Sequence, residues 1–597
     1  MYKKLFLSLL LLLNVHFLSA TNYFVGFNSI PAGNNNIKVL NQGTLLGATL
    51  LTVLGEQHSY SPTYGDTVFL AAGKYMLPSE ITIPKGVTVL GGYNANAATT
   101  VTLTRTYPGS VWPTNSFGAV TVLDGNSFLS LPADKHRVAT VYGTLETCYI
   151  RNGYSNTNGG GLYVDGGTVT ACIMRGNVAM NKTYTAKGGG AYVTNGGKMY
   201  HCLITNNMAN YGFGAYTDGV SSVVSNSTMV YNTWSPRPVF ISGTGGNDGK
   251  SITETGTYFS HEVYNALEKA PASKYTGLRI QLSDFYMQQT ETTVIQYCCF
   301  LAAIDYEISG NDVKISSAGA TDFSSLKAFS TSVGTKTIGE YYNFNPAKMS
   351  DATLCYGFAV DNNFGYGVRN TVGVNVLYPQ EKYGRGTVPY DEMAFCGVSW
   401  YGAVAYSHWL GGNLPTEAQW EFALRRTTDT FSGNNDKGVS TGAYPYGNGS
   451  ITDVGYYGWY KNNSHGHDAD GVSSNVSDYG TVAAHLHRVG QKRASPIGLF
   501  DMDGNLLEWC ADWFNGNLYI YDNDANNNWY SAVSGSGANA VYLDPMYKVP
   551  LTDRVHRGGA WYYPVARMRS GFRVNVVPTH RIDNIGFRSA WNSSAAL

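Results

Sequence analysis

A glycine-rich block recurs in the first half of the chain and constrains the fold more than any other feature. It reads Gly-Gly-Gly-Leu-Tyr-Val at 159–164 and Gly-Gly-Gly-Ala-Tyr-Val at 188–193, with a looser copy at 212–217. Short alternating apolar runs lie between the copies, separated by glycine or proline. A period of about 24 to 30 residues with strand-like content predicts a solenoid of stacked coils built from parallel strands.

The repeat resembles the right-handed parallel β-helix families over roughly residues 60 to 235. In such a coil Cys148, Cys172 and Cys202 would stack at one inward position, with Asn226 at the next. An inward column of thiols is typical of packing, because an unpaired cysteine behaves as a small apolar side chain. Disulfide bonding or metal binding by these cysteines stays open at this point.

Charge and composition narrow the classes of partner. Lys and Arg number 40 and Asp and Glu 41 in 597 residues, which gives a net charge of −1. Such a balance provides no electrostatic basis for binding nucleic acid or an anionic membrane. Charged residues make up only 14%, while glycine reaches 69 and tyrosine 45. A surface of uncharged polar residues and tyrosine favours an exported, β-rich protein.

The first 20 residues have the pattern of a secretory signal peptide. Lys3 and Lys4 precede an apolar run from Leu5 to Leu13, and the stretch ends with small residues in Leu18-Ser19-Ala20. The run is too short to span a membrane. We therefore expect export, whether secreted, periplasmic or at the cell surface, with no transmembrane span in the mature chain.

Composition divides the remaining chain into two domains. We expect a parallel β-helix-like domain at 21–232 and a linker at 233–275, where proline, serine and glycine cluster. A second domain with a different residue pattern is expected at 276–597, with an insertion at about 304–385. The predicted fold class is thus multidomain: an N-terminal parallel β-helix followed by a C-terminal irregular α+β domain.

Ordered motif blocks mark the second domain. The stretch 398–410 reads as a helix ended by Gly411 and Gly412, and Thr416 with Gln419 forms a capping box for the next helix. Further blocks are Gly-Leu-Phe-Asp-Met-Asp-Gly-Asn-Leu-Leu-Glu-Trp at 498–509, Arg-Val-His-Arg-Gly-Gly-Ala-Trp at 554–561 and Ile-Gly-Phe-Arg at 585–588. In this order they resemble the formylglycine-generating enzyme (sulfatase-modifying factor) superfamily. The resemblance implies an irregular α+β fold related to C-type lectins.

Residues upstream extend the resemblance. Phe-Tyr-Met at 285–287 and Glu-Thr-Thr at 291–293 are similar to the opening strand and helix start of that superfamily. Val294, Tyr297, Cys298 and Leu301 then recur at helical spacing. This pattern predicts a helix with one apolar face.

The resemblance also implies an activity that this sequence does not support. Enzymes of the superfamily oxidise a substrate cysteine with copper held by two cysteines, and the matching positions here are Tyr563 and Met568. No cysteine follows Cys510. Copper(I) prefers thiolate ligands. We therefore expect neither copper nor formylglycine generation, and we assign no catalytic residue.

A structural calcium ion is the metal that the resemblance does support. Its implied ligands are Asp501, the carbonyls of Gly504 and Leu506, and Glu508. Carboxylate and carbonyl oxygens suit this hard cation. The alternative is an Asp/Gly turn in which backbone donors satisfy Glu508.

The segment between Trp561 and Gly586 is expected to bind a ligand. In the superfamily it lines the active-site groove, and aromatic, Arg and Asn side chains suit recognition of a protein or glycan. The candidate groove residues are Trp561, Tyr562, Tyr563, Arg567, Arg569, Phe572, Asn575, His580 and Asp583.

Two other functions remain open. A metal-dependent oxidoreductase of the same superfamily could use the pairs His465/His467 and His485/His487, each able to share a strand face. A glycan-acting β-helix would need clustered carboxylates, whereas Asp165 and Asp218 lie beside glycines in turns.

Overall fold

The structure is a computed structural model. The residues that it describes are 20–28, 36–39, 46–55, 59–93, 120–125, 135–230, 232–241, 257–259, 279–303, 306–309, 312–315, 329–331, 334–336, 342, 366–371, 374–379, 393–425, 453–464, 486–515, 529–534 and 541–592. The predicted signal peptide before Ala20 lies outside them.

The first half consists of short strands and one helix, α1 (Leu46–Leu54). Its strands are β1 (Asn22–Val25), β2 (Asn36–Val39), β3 (Thr67–Ala71), β4 (Gly73–Met76), β5 (Ile81–Ile83), β6 (Thr88–Tyr93), β7 (Thr121–Asp124), β8 (Ala139–Val141), β9 (Thr144–Glu146), β10 (Tyr149–Arg151), β11 (Tyr154–Ser155), β12 (Leu162–Asp165), β13 (Thr168–Thr170), β14 (Ile173–Arg175), β15 (Val178–Ala179), β16 (Ala191–Thr194), β17 (Lys198–Tyr200), β18 (Leu203–Thr205), β19 (Met208–Ala209), β20 (Ala215–Thr217), β21 (Val223–Ser225), β22 (Thr228–Val230) and β23 (Thr233–Trp234).

These strands form four parallel sheets. The orders are β2-β1-β3-β6-β9-β13-β17-β21, β4-β7-β10-β14-β18-β22, β5-β8-β12-β16-β20 and β11-β15-β19-β23. Between β9 and β23, each passage of the chain adds one strand to each sheet, in regular register. The parallel sheets agree with the stacked coils that the repeat predicts. We refer to residues 20–234 as the parallel-sheet region.

The predicted cysteine column is confirmed for its three thiols. Cys148, Cys172 and Cys202 are all buried, and the backbone N–H of Cys148 lies 3.4 Å from the sulfur of Cys172. The fourth position is held by Ser227, whose hydroxyl accepts from the N–H of Cys202 at 3.1 Å. The prediction of Asn226 there was wrong by one residue. Asn226 has a φ of 47° and makes the turn, as left-handed residues do before each inward cysteine.

A second buried column consists of asparagines. The Asn177 amide donates to the carbonyl oxygen of Asn207 at 2.9 Å, and the Asn207 amide donates to Asn232 at 3.0 Å. The Asn207 amide also donates to the backbone carbonyl of Met174 at 2.9 Å. Each amide thereby satisfies backbone groups where the chain bends between sheets, so the coils are held together by more than their strand ladders.

The second half contains short helices and mainly antiparallel strands. The helices are α2 (Val294–Ala303), α3 (Trp400–Trp409), α4 (Glu417–Arg425) and α5 (Val454–Tyr457), with a 3₁₀ turn at Val565–Arg567. The strands are β24 (Pro238–Ile241), β25 (Thr257–Phe259), β26 (Arg279–Gln281), β27 (Phe285–Gln288), β28 (Tyr306–Ser309), β29 (Asp312–Ile315), β30 (Phe329–Thr331), β31 (Gly334–Lys336), β32 (Tyr366–Thr371), β33 (Val374–Pro379), β34 (Leu507–Trp513), β35 (Trp529–Ser534), β36 (Val541–Tyr547), β37 (Arg554–Arg557), β38 (Val574–Val576), β39 (Ile585–Gly586) and β40 (Ala590–Asn592).

Their sheets have the orders β24-β27-β40, β25-β26-β36-β35 and β38-β37-β34-β39, and three hairpins pair β28 with β29, β30 with β31 and β32 with β33. Among the helices that the structure describes, none combines the length and apolarity needed to cross a membrane. The predicted capping box is confirmed, because the N–H of Gln419 donates to the Thr416 hydroxyl and the N–H of Thr416 donates to the Gln419 side chain.

Residues 233–241, within the segment predicted as a linker, contain the two strands β23 and β24. β23 extends the fourth parallel sheet, and β24 pairs antiparallel with β27. The chain therefore passes between the two halves through paired strands along this stretch. The domain boundaries themselves stay predictions.

Helix α2 is buried on all sides. The predicted apolar face is present, since Val294, Tyr297, Cys298 and Leu301 are buried. Gln296, Cys299 and Phe300 on its other sides are buried as well. One apolar cluster joins this helix to side chains of the parallel-sheet region, namely Tyr154, Val178, Met180 and Met208. The two halves thus share this apolar cluster, while each also has a cluster of its own.

Polar contacts close the same interface at the end of α3. The Trp409 indole N–H donates to the Asn152 side chain at 3.2 Å. The Lys135 ammonium donates to the backbone carbonyls of His408, at 3.3 Å, and of Trp409. A cation at this position is favourable because the carbonyls at a helix C-terminus carry partial negative charge. Burial lowers the pKa of Lys135 to about 7.

We expect Asn207→Ala to lower the free energy of unfolding by about 2–4 kcal/mol, because buried backbone groups lose their partners. The measurement is chemical denaturation followed by circular dichroism. Asn156→Ala is the matched control, since Asn156 is exposed in the same region. A loss for Asn207→Ala no greater than that of the control would contradict the structural role of the column.

Candidate functional site

The candidate site begins where β37 ends. Gly558 and Gly559 follow with φ values of 99° and 75°, a backbone that favours glycine. The chain then runs through Trp561–Tyr563 into the 3₁₀ turn. A Cβ at Gly559 would lie 2.6 Å from the sulfur of Met568. Met568 is therefore packed beneath the glycine turn, whereas Tyr563 lies at the half-exposed surface.

Four aromatic rings form a connected surface. Trp561 contacts Tyr562 with ring centroids 5.3 Å apart, and Tyr562 contacts Tyr563 at 4.3 Å. Phe572 contacts Tyr563 edge to face at 6.4 Å. The Tyr562 side chain is 37% exposed, so the surface is open to solvent. We call Trp561, Tyr562, Tyr563 and Phe572 the aromatic surface.

Backbone and amide contacts fix the aromatic surface in place. The Ser464 hydroxyl donates to the carbonyl of Trp561 at 2.7 Å, and the N–H of Lys461 donates to the carbonyl of Tyr563 at 2.9 Å. The Asn584 amide donates to the Tyr562 hydroxyl at 3.0 Å. The sequence interpretation did not include Asn584, although it directly follows Asp583 at the end of the candidate segment.

Two charged residues border the aromatic surface. The Arg567 guanidinium lies 4.3 Å from the Tyr563 ring centroid and 5.6 Å from that of Phe572. At the other end, the Trp561 indole N–H donates to the backbone carbonyl of Asp583 at 3.3 Å. The structure therefore brings together six of the nine predicted groove residues.

The other three groove residues have different surroundings. The Arg569 Nε donates to the nearby carbonyl of Ala566 at 3.0 Å. Asn575 lies on β38, and its amide donates to Asp553 at 2.5 Å. His580 follows a tight turn closed by its N–H and the carbonyl of Val577.

The predicted calcium block is built around a buried ion pair. Arg588 donates to both carboxylate oxygens of Glu508, at 2.6 and 2.7 Å, and the Trp420 indole N–H donates to the same carboxylate at 2.8 Å. All three side chains are fully buried. Glu508 is thus satisfied by side chains of α4 and of the segment after β39, rather than by backbone donors.

Asp501 and Asp503 offer free carboxylate oxygens in this block. One Asp501 oxygen accepts from the N–H of Gly490 at 2.6 Å, while the other is buried without a hydrogen-bond partner. Neither oxygen of the buried Asp503 has a partner. Burial raises the pKa of Asp501 to about 6, and burial together with Glu508 raises the pKa of Asp503 well above its usual range. Among the described residues, no three His, Cys, Asp or Glu side chains are arranged to hold a metal ion.

The copper chemistry of the superfamily does not fit the residues present. The tyrosine and methionine at the cysteine positions provide no thiolate, and Met568 is buried. The cysteines that the structure describes are all free and buried, and Cys355 lies outside the described residues. Burial raises the pKa of the Cys510 thiol well above its usual value, which opposes a thiolate there.

Of the four histidines in the two predicted pairs, only His487 lies within the described residues. His487 is buried, its ring is stacked on Trp459 at 3.7 Å, and its Nε2 lies 3.1 Å from the carbonyl of Ser464. His465, His467 and His485 lie outside the described residues.

We expect Arg588→Met to lower the free energy of unfolding by about 3–5 kcal/mol, because Glu508 would remain buried without its cation. Denaturant titration of both proteins measures the loss. Arg569→Met is the control, since its guanidinium makes only an exposed local bond, and should change stability by less than about 0.5 kcal/mol. Equal effects of the two substitutions would contradict a structural role for the pair.

Comparison with known proteins identifies a family over the second half. Residues 247–593 match the model of the sulfatase-modifying factor enzyme 1-like domain. A formylglycine-generating enzyme of Thermomonospora curvata is 28% identical over 202 residues, covering 32% of this chain and 54% of the relative. Serine/threonine-protein kinase pkn1 of Chlamydia caviae is 29% identical over 201 residues, covering 34% of this chain and 24% of the kinase. The chain therefore spans about a quarter of that kinase and about half of that enzyme.

Solved structures align at low similarity. Treponema denticola variable protein 1 is 18% identical, with a TM-score of 0.25 and coverage of 60% of this chain and 94% of that one. PvdO from Pseudomonas aeruginosa is 15% identical, with a TM-score of 0.30 and the same coverages. No feature is carried over at these TM-scores. The family match covers more than half of the chain, which therefore belongs to the sulfatase-modifying factor enzyme 1-like domain family.

Proposed function

We propose that the family domain is a ligand-binding module that does not generate formylglycine, and that the aromatic surface is its binding site. The observation that carries the proposal is the connected row of rings Trp561–Tyr562–Tyr563, in which Tyr563 takes the position of one of the superfamily's two copper-binding cysteines. Large, rigid rings provide contact area at low entropic cost, because few torsions are fixed on binding. The ligand is a protein or a glycan.

The lack of thiolates supports binding rather than oxidation. Relatives named formylglycine-generating enzyme show which chemistry the family can host, but the chain spans about half of their length. With tyrosine and a buried methionine at the two positions, these positions offer no thiolate pair for copper(I). No catalytic step is therefore assigned to it.

We also propose that the protein is exported, and that its parallel-sheet region is a parallel β-helix serving as a stalk or glycan-facing module. The amino-terminal pattern of residues 1–20 supports export. The regular registers of the four sheets support the β-helix. Because an apolar cluster joins the two halves, such a stalk would hold the aromatic surface in a fixed orientation.

Binding at the aromatic surface can be tested with a neutral aromatic probe, N-acetylphenylalaninamide, by saturation-transfer NMR on the full chain. We expect Tyr562→Ala to weaken binding about two- to tenfold, because ring stacking is lost. Tyr142→Ala is the matched control, since Tyr142 is 41% exposed on the parallel-sheet region. Equal binding by both variants, or no binding by the unsubstituted protein, would refute the proposed site.

A structural calcium ion near Asp501 is a separate proposal. The buried, unpartnered oxygen of Asp501 supports it, and the carbonyls of Gly504 and Leu506 would complete the oxygen set. Glu508 fits less well, because Arg588 and Trp420 already occupy its carboxylate. Asp501 would accordingly be the carboxylate on which binding depends.

We expect calcium to raise the melting temperature of chelator-treated protein, because an ion that binds only the folded state stabilises it by mass action. Scanning calorimetry with and without calcium measures the shift, and Asp501→Asn should abolish it. An unchanged melting temperature would refute the calcium site. Stoichiometric copper or iron in the purified protein would instead favour the metal-dependent oxidoreductase.

A further inference from the structure

The Arg567 guanidinium is available to a ligand. It is exposed and contacts the rings of Tyr563 and Phe572, and no carboxylate or hydrogen-bond acceptor pairs with it in the described part of the chain. Arg573, nearby in sequence, differs because it donates to Glu417 at 2.5 and 2.8 Å. A guanidinium held against ring faces keeps its in-plane N–H donors free for an anion.

The Asp583 carboxylate is available at the opposite end. The Asp583 backbone is anchored to the Trp561 indole, and its side chain is exposed. Among the described residues no Lys, Arg or His pairs with this carboxylate. Asn584, the next residue, is bound to the Tyr562 hydroxyl and fixes the chain beside the rings.

We propose that the aromatic surface binds a polypeptide segment of a partner protein that carries a basic and an acidic side chain on either side of an apolar one. The inference rests on the proposed binding function. Arg567 faces the acidic side chain of the segment, Asp583 faces the basic one, and the row of rings between them receives the apolar side chain.

The pattern of charge is the reason for choosing a polypeptide. A site with one free cation and one free anion at opposite ends of an apolar row selects a ligand with complementary charges at the same spacing. Neighbouring residues of a peptide provide basic, apolar and acidic groups in that order. A neutral saccharide provides neither charge and would leave both side chains of the site unpaired.

The test uses four capped tripeptides with the same central residue: acetyl-Lys-Phe-Glu-amide, acetyl-Lys-Phe-Gln-amide, acetyl-Gln-Phe-Glu-amide and acetyl-Gln-Phe-Gln-amide. Ligand-detected NMR titration against the full chain measures each dissociation constant. We expect the doubly charged peptide to bind about tenfold more tightly than the neutral one, because each exposed ion pair contributes about threefold. The gain should shrink as sodium chloride is added.

Variants assign each charge. Arg567→Gln should remove the gain from Glu while leaving the gain from Lys, and Asp583→Asn should do the reverse. Arg569→Gln, a neighbouring arginine with a local backbone bond, should change neither. If the four peptides bind equally in a Tyr562-dependent manner, the aromatic surface stands and the charge inference is overturned. It is equally overturned if N-acetylphenylalaninamide binds and no tripeptide does, or if a neutral saccharide binds the surface more tightly than any tripeptide.

Discussion

Burial of helix α2 from both sides is the packing on which the arrangement of the two halves depends. The helix belongs to the family domain, yet Tyr154, Val178 and Met208 of the parallel-sheet region lie in the same apolar cluster. Separating the halves would expose this cluster to water. It would also expose the C-terminal end of helix α3, to whose carbonyls Lys135 donates. Trp561 and Tyr563 of the aromatic surface pack against this cluster, so the surface is positioned by packing that extends beyond the family domain.

The sequence was most informative where local pattern alone determines structure. The cysteine column and the Thr416/Gln419 capping box depend on spacing within one coil or one turn, and both were predicted. The full burial of α2 was not, because its second face is covered by residues more than 85 positions earlier in the chain. The prediction of Asn226 for the fourth position of the cysteine column was wrong by one residue. Asn226 is the left-handed residue that precedes the inward position, and the sequence pattern did not distinguish the two.

The candidate site was predictable as a segment but not side chain by side chain. Six of the nine residues meet at the aromatic surface, because the segment returns on itself between Trp561 and Asp583. Asn575 lies outside the aromatic surface because β38 pairs with β37. Arg569 lies outside it as well, and its side chain donates to the carbonyl of Ala566. Which side chains of an irregular loop face solvent depends on such individual bonds, and neither periodicity nor composition encodes them.

Buried arginines of the family domain are paired with acidic side chains, whereas Arg567 is exposed. Arg573, Arg557 and Arg588 pair with acids of α4 and β34, so each of these buried charges is compensated locally. Arg567 is not needed for that purpose and remains exposed beside the rings. The same packing bears on Tyr563 and Met568, the two positions that match the superfamily's cysteines. The Met568 side chain fills the space beneath Gly559, and a cysteine at that position would leave a cavity while providing one thiol. Two soft ligands would require Tyr563 to change as well, and that change would remove the centre of the aromatic row. A copper-binding pair of thiolates and the aromatic row therefore require different side chains at position 563.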